Sequence, residues 1–265
     1  MMTTKEIFKR HDTRSVFDAL SDVSRNDDLM KRLATIRDVV RGRIVFTTSF
    51  GVEDQAIGHA IFVQDLDIDV VTFDTGRLFQ ETYELWSRTE CRYGRRIRAF
   101  CPDHASVEAL LALQGVDGFF ASVDARRACC AIRKVEPLKR ALAGAAAWIT
   151  GLRTDQSDDR AGTSFAVIDP DQRLIKVSPL FDWRRDQVLS FIREHSVPYS
   201  SLHDRGFASV GCAPCTRPIA PGESERAGRW WWEQEEKREC GLHWPLRSST
   251  PAPARSQDFA QEETP

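Results

Sequence analysis

Five of the seven cysteines in this 265-residue chain fall into a pattern that could carry chemistry: the tandem Cys129-Cys130, the pair Cys212-Ala213-Pro214-Cys215, and Cys240 in Glu239-Cys240-Gly241-Leu242-His243. An odd count in a chain without a secretory leader argues against a disulfide framework and for metal binding or catalysis. Four thiolates hold a tetrahedral zinc ion or an iron–sulfur cluster, and a C-x-x-C pair also serves redox exchange. The tandem cysteines discriminate between these. Adjacent side chains on a helix diverge by about 100°, so both reach one target only where the backbone distorts or the target is large. A cubane cluster offers separate irons to separate thiolates, which favours [4Fe–4S] over zinc. Lys134 lies four residues after Cys130 on the same helical face, where it places a cation beside an anionic site; the alternative is a solvated helix lysine. Pro137 marks a kink or a helix end. Cys240 has Lys237, Arg238 and His243 for neighbours, and cations lower a thiol pKa and raise its nucleophilicity; the alternative is a buried apolar cysteine. Cys91 and Cys101 stand alone and read as small core residues.

A second set of residues suits an anionic ligand. Arg226 and Arg229 are three apart in Glu225-Arg226-Ala227-Gly228-Arg229-Trp230-Trp231-Trp232 and would share a face if helical. Guanidinium forks match phosphate or sulfate oxygens, or else form a charged face over a tryptophan cluster. Three small-residue loops follow apolar runs: Ser49-Phe50-Gly51-Val52-Glu53-Asp54, Asp74-Thr75-Gly76-Arg77, and Thr150-Gly151-Leu152-Arg153 continuing to Arg160. A turn of small residues at a helix N-terminus presents amide donors to phosphate or sulfate. The first loop has no GK[ST] and so is not a Walker A loop; the alternative is a plain turn in which Glu53 and Asp54 cap the helix.

The elements that must position these residues alternate. Strands are predicted over 43–48, 69–73, 95–100 and 146–150, with helices between them, which implies βαβ units and a parallel sheet. All three loops then lie at the carboxyl ends of strands, where open α/β sheets bind ligands. The stretch 166–177 reads as a hairpin turning near Pro170-Asp171. Asp182 is a candidate cap for a helix in which Val188, Leu189 and Ile192 share a face. The expected organisation is one domain over 1–243: helices over 1–40, a nucleotide-binding core over about 41–200, and a helical, cluster-binding and catalytic segment over about 201–243. Residues 244–265, rich in Pro, Ser, Ala and Gln, read as a disordered tail.

Composition narrows the class. A net charge of −2 argues against a general nucleic-acid binder, and 29% charged residues with only short apolar runs exclude a membrane-spanning helix. The first residues lack the apolar stretch of a secretory signal, so the expected location is the cytoplasm.

Taken together, SFGVEDQ, FDTGRLFQETYEL, CCAIRKVEPLKRAL, TGLRTDQSDDRA, VSPLFDW, GCAPCTRPIAPGE, RAGRWWWE and ECGLH resemble the assimilatory adenylyl-sulfate (APS) reductases of the phosphoadenylyl-sulfate (PAPS) reductase family, over about residues 43–243. The resemblance implies a Rossmann-like, adenine-nucleotide alpha-hydrolase-like α/β fold with a parallel twisted sheet flanked by helices. It implies a [4Fe–4S] cluster on Cys129, Cys130, Cys212 and Cys215, Cys240 as nucleophile, and Lys134, Arg226, Arg229 and His243 near the phosphosulfate. The three loops (Ser49, Phe50, Gly51, Glu53 and Asp54; Asp74, Thr75, Gly76 and Arg77; Gly151, Arg153 and Arg160) would hold the adenosine and phosphate. One departure is Gln80, where many relatives carry Pro.

The reaction so implied is reduction of APS to sulfite and AMP through a cysteine S-sulfonate, in sulfate assimilation and cysteine biosynthesis. Plant-type relatives carry a fused redoxin domain; here an external thioredoxin or glutaredoxin is the expected electron donor. No nucleic-acid or membrane partner is expected, and homo-oligomerisation is left open. The alternatives are dual use of APS and PAPS, an ATP-pyrophosphatase-type tRNA-thiolating enzyme, which should carry an SGGxDS-type loop, and a zinc-stabilised nucleotide-binding module, which would not need Cys240.

Overall fold

The computed structural model describes residues 14–20, 28–169 and 174–233. Along the chain it runs α1 (Leu29–Val39), β1 (Ile44–Thr48), α2 (Val52–Val63), β2 (Asp69–Phe73), α3 (Gln80–Tyr93), β3 (Arg98–Phe100), α4 (His104–Gln114), α5 (Val123–Cys130), a π-helical turn (Ala131–Val135), α6 (Glu136–Leu142), β4 (Ala147–Ile149), β5 (Ala166–Asp169), β6 (Leu174–Val177) and α7 (Arg185–Glu194). Residues 14–20 are also helical.

β1 reads Ile-Val-Phe-Thr-Thr and is buried almost throughout, as a parallel strand covered on both faces must be. Successive side chains alternate across the sheet. Ile44 and Phe46 join Leu33 and Ile36 of α1, Ile57 and Ile61 of α2, and Val188 and Ile192 of α7 in one core. Val45 turns the other way and packs with Val71, Trp148, and Leu138 and Leu142 of α6.

The strand order is β3-β2-β1-β4-β6-β5. The first five strands in that order pair in parallel; β5 pairs antiparallel with β6, Ala166 opposite Val177. The sheet is therefore mixed: the βαβ strands run parallel, and the hairpin expected over 166–177 adds an antiparallel strand on one edge, its tip lying outside the described residues. The chain leaves β1 toward β2 on one side and returns to β4 on the other. That reversal is the place where an open sheet parts to admit a ligand, and it sets the loop after β1 beside the loop after β4. The two approach so closely that a Cβ on Gly151 would lie 2.5 Å from Asp54 Oδ1.

Four local expectations are corrected. Asp182 does not cap α7: Arg184 holds that position, and Asp182 instead accepts two hydrogen bonds from buried Arg32, at 2.6 and 3.0 Å. Cys91 and Cys101 are exposed rather than core residues: α3 buries Thr82, Leu85 and Thr89, so Cys91 falls on its outer face, and Cys101 follows β3, a short, largely exposed edge strand. After α7 the described chain holds only single 3-10 turns at His203–Arg205 and Ala213–Cys215. Arg226 and Arg229 accordingly sit in a run of turns rather than on a helix. Gln80 opens α3, the first-turn position that suits Pro because its N–H has no partner in the helix.

The helix α5 does not run straight into α6. Pro137, in the first turn of α6, has no N–H to give the carbonyl four residues back, and the ladder widens to a π turn over Ala131–Val135. A backbone distortion, one of the two ways by which tandem cysteines could reach one target, begins directly after Cys130.

Candidate functional site

Two cavities share one wall. The larger, a cleft, opens at the sheet reversal between the loops after β1 and β4, the place where open α/β sheets take their ligands. The smaller is lined by all four expected ligand cysteines, Cys129, Cys130, Cys212 and Cys215, with Arg77, Phe119, Arg126 and Arg133. Lys134, in the π turn, lines both.

In the cleft, the loop after β1 is braced from within. Ser49 donates its amide and its hydroxyl to Asp54 Oδ2, at 2.6 and 2.9 Å, and the Phe50 amide donates to Thr48 Oγ1 at 3.0 Å. Asp54 thus ties the loop together, although no side chain caps the helix, whose N-cap is Gly51, while Ser49, Gly51, Glu53 and Asp54 line the cleft. Phe50 does not. It sits at φ +62°, in the left-handed region, and this strained conformation turns its ring into the core, stacked on Trp86 at 5.8 Å. Burial pushes the Asp54 carboxyl up to about 7, against the hydrogen bonds from Ser49.

After β4, Gly151 and Arg160 reach the cleft, together with Gln156. Arg153 was expected to touch ligand, yet it is fully buried and its guanidinium is committed to the protein. It donates to Glu53 at 2.9 Å, to both oxygens of Glu225 at 3.0 and 2.8 Å, and to Asp155. Arg185 adds a bond to Glu225 at 3.1 Å. Burial pushes Glu53 up, but Arg153, the helix amide and Arg185 outweigh it and hold that carboxyl below its usual range. Glu225 is pushed up by burial and by the Glu53 charge. Arg153 therefore fastens the 225–229 turn to the N-terminus of α2.

That turn delivers Arg226 and Arg229 to the cleft beside Trp230, their guanidinium carbons 5.9 and 4.7 Å from its ring centre. Arg229 is 4% exposed and bonds to Thr216 Oγ1 at 2.8 Å. Its guanidinium fills the space over Gly211 where any Cβ would stand.

The loop after β2 serves the other cavity. Asp74 accepts from the Gly76 amide at 2.9 Å and from the Tyr83 hydroxyl at 2.7 Å. Gly76 has φ +70°, a conformation that glycine adopts without strain. Thr75 Oγ1 lies 3.3 Å from Cys212 Sγ. Arg77 passes over the Phe119 ring, and its carbonyl accepts the Ala213 amide at 2.8 Å. Of this region only Phe73 lines the cleft; Asp74, Thr75, Gly76 and Arg77 do not.

The cysteine cavity suits an anionic, sulfur-ligated group. Arg77, Arg126, Arg133 and Lys134 surround four thiols. Two of them resist ionisation as free thiols: burial pushes Cys215 up to about 11 and Cys129 upward as well. A bound metal centre and the surrounding cations both favour the thiolate form. Among the described residues no group of three or more His, Cys, Asp or Glu side chains converges as ligands of a single ion; the four cysteines share a cavity rather than a point. Cys240 and His243 lie outside the described residues.

Sequence reasoning missed the residues that brace these walls. His203 lines the cleft, with Nδ1 2.7 Å from the Phe207 carbonyl and its pKa lowered by burial; no spacing pattern singles it out. Residues 208–211, also on the cleft wall, directly precede Cys212, and that adjacency was the available clue. Arg133, donating to the Thr75 carbonyl at 2.6 Å, stands beside Lys134 and was passed over.

Comparison with known proteins agrees with this architecture. The phosphoadenosine phosphosulfate reductase domain matches residues 43–218. A protein of Agrobacterium fabrum named adenosine 5′-phosphosulfate reductase is 53% identical over 84% of this chain and 86% of its own length. One of the same name from Allochromatium vinosum is 51% identical over 76% and 78%. The crystal structure of phosphoadenylyl-sulfate reductase from Candida auris, in a phosphate complex, superposes with a TM-score of 0.64 at 24% identity, covering 82% of this chain and 98% of that one, which speaks for a shared fold. No helix among the described residues is long and apolar enough to cross a membrane. With the matched domain spanning both the sheet loops and the two cysteine pairs, the chain belongs to the phosphoadenosine phosphosulfate reductase family.

Proposed function

We propose that this protein reduces adenosine 5′-phosphosulfate to sulfite and AMP at the cleft, using Cys240 as nucleophile. One observation supports this above the others: Lys134 lines both the cleft and the cavity of the four cysteines, so an anion-binding site and a thiolate cage share a cation. The relatives' names supply the substrate.

Ser49, Gly51, Asp54, Gly151 and Arg160 would hold the nucleotide, and Arg226, Arg229 and His243 the phosphosulfate. The Cys240 thiolate attacks the sulfur. The new S–S bond forms as the S–O bond to AMP breaks, and AMP leaves with the electron pair. An anion attacking an anion needs its charge neutralised, which Lys134, Arg226 and Arg229 provide. A dithiol protein such as thioredoxin or glutaredoxin then attacks Cys240 Sγ and frees sulfite. Its second thiol resolves the mixed disulfide, so two electrons pass from the dithiol to sulfur. Cys129, Cys130, Cys212 and Cys215 would hold a [4Fe–4S] cluster, which supplies structural order and a local charge that Lys134 feels. The reaction belongs to cytoplasmic sulfate assimilation toward cysteine.

The test is sulfite release from APS by anoxically purified protein with thioredoxin, with PAPS in parallel and iron and labile sulfide measured. Sulfite from APS, loss of sulfite and of an S-sulfonated intermediate in Cys240→Ser, and loss of iron in Cys212→Ser are the expected outcomes. Sulfite from both nucleotides widens the substrate class. An iron-loaded preparation that releases none overturns the reading.

A further inference from the structure

Three residues of the cleft wall carry a buried polar atom that meets no hydrogen-bond partner among the described residues: Arg229 Nε, Trp230 Nε1 and His203 Nε2. The first two are N–H donors, the polarity that an anionic ligand calls for. His203 has the opposite polarity. It opens the 3-10 turn His203–Arg205, just ahead of the 208–211 stretch of the wall. Its Nδ1 lies 2.7 Å from the Phe207 carbonyl. A carbonyl only accepts, so Nδ1 carries the hydrogen. Burial lowers the pKa of the ring, although the Phe207 bond works the other way. The imidazole is therefore neutral, and Nε2 presents a lone pair. The surrounding turn is tightly closed. The Gly206 amide donates to the His203 carbonyl at 3.2 Å, and the Phe207 amide returns to the Leu202 carbonyl at 3.1 Å. Gly206 permits that reversal at φ +84°, and the Phe207 ring packs edge-on against Phe79 at 5.5 Å.

A buried acceptor without a donor costs free energy, and a ligand that brings the donor removes that cost when it binds. The nucleotide of the proposed reaction has few donors. Its phosphosulfate offers only oxygens, which suit Lys134, Arg226 and Arg229 on the same wall. Its N–H and O–H groups are confined to the adenosine: the exocyclic amine of adenine and the two ribose hydroxyls. We infer that His203 reads the adenosine half of the ligand, its Nε2 accepting a hydrogen bond from the adenine amine or from a ribose hydroxyl. This rests on the reading of the cleft as a nucleotide site. The fold already keeps Nε2 out of water and the turn around it closed, so the bond forms with little further desolvation or ordering. It also selects: an analogue that lacks the donor leaves the buried nitrogen unpaired, and such sites reject the lesser ligand strongly.

The experiment is a set of double-mutant cycles between protein and ligand, read as calorimetric Kd values on the iron-loaded full chain. The ligands are AMP and three analogues that each lack one donor: 2′-deoxy-AMP, 3′-deoxy-AMP, and purine riboside 5′-monophosphate, which lacks the amine. The variants are His203→Asn, whose amide can still donate to the Phe207 carbonyl, and His203→Phe, which keeps a ring of similar shape; either one carries the cycle if the other does not fold. In wild type, one analogue is expected to bind about 10-fold more weakly than AMP through loss of this bond. In the variants, AMP itself weakens by about 10-fold, and that analogue binds within about twofold of AMP. The analogue that behaves so names the group His203 meets. Losses for all three analogues that are as large in the variants as in wild type overturn the inference, and the orphaned nitrogen then belongs to the protein's own packing. A wild type that binds all three analogues within about twofold of AMP overturns it without any variant. Wild-type protein that binds no AMP overturns the nucleotide reading of the cleft and the role of His203 together, whereas AMP binding with additive cycles removes the role of His203 alone.

Discussion

Arg153 beneath the cleft meets three carboxylates, from Glu53, Asp155 and Glu225, and Arg185 shares the last. Around the cysteine cavity two of the three arginines are satisfied differently. Arg133 donates to the Thr75 carbonyl and Arg77 to the Val116 carbonyl, with only exposed Asp117 beyond it at 3.4 Å. The first arrangement neutralises its cations, so the positive charge facing the cleft comes from Lys134, Arg160, Arg226 and Arg229. The second is divided: Arg133 and Arg77 bond to neutral carbonyls and keep most of their charge for the cysteines, while Arg126 gives its charge to Glu233. One region uses arginine as mortar and the other uses it mostly as field.

The contrast breaks most violently at Arg153. Arg153→Met strands Glu53 and Glu225 in a buried site, and a loss of about 3–5 kcal/mol in unfolding free energy is expected by denaturant titration; Arg133→Met, which removes no carboxylate partner, should cost clearly less. The next effect depends on pH. The Asp54 carboxyl stands near 7 in the fold, against an ordinary value of about 4 for an aspartate in water. Between about pH 4 and 7 the folded state binds the extra proton, so stability falls as pH rises through that window, by up to about 4 kcal/mol. Asp54→Asn should flatten this slope in unfolding measurements and raise stability at pH 8. Smaller is Lys134→Ala. If the lysine supplies field to both cavities, turnover should drop by about 100-fold with iron content unchanged; unchanged turnover would show that the shared wall carries no function. Smallest is Gly211→Ala. The new methyl displaces the Arg229 guanidinium, and the KM for APS should rise by about tenfold, while Gly162→Ala, with open space around it and no left-handed backbone to strain, should leave the KM unchanged.

The sequence made the frame legible because its signals were local. Apolar runs marked β1, β2 and β4, the small-residue loops marked the sheet edge, and Pro137 announced the break that became the π turn. What stayed hidden depended on partners far along the chain. Arg153 looks like any loop arginine until Glu225 arrives from 72 residues away. Phe50 sits in a turn of small residues, and nothing local tells that its ring goes inward to Trp86. Cys91 and Cys101 followed the burial habit of their residue type, but outward-facing positions on α3 and after β3 decided otherwise. The cysteine pairs were readable as a set; that the loop after β2 attends to them, through Thr75 and Cys212, was not.

The π turn over Ala131–Val135 also governs what editing this segment tolerates. A π turn is an α-helix carrying one extra residue. Deleting any one of these five residues would let the ladder close again as ordinary helix, and everything before it would rotate against everything after it by one residue's worth of twist. The cysteines and Arg126 would turn away from their cavity while Pro137 and Leu138 kept their places under the sheet. Substitutions here change a side chain; a deletion changes the phase of the whole rod.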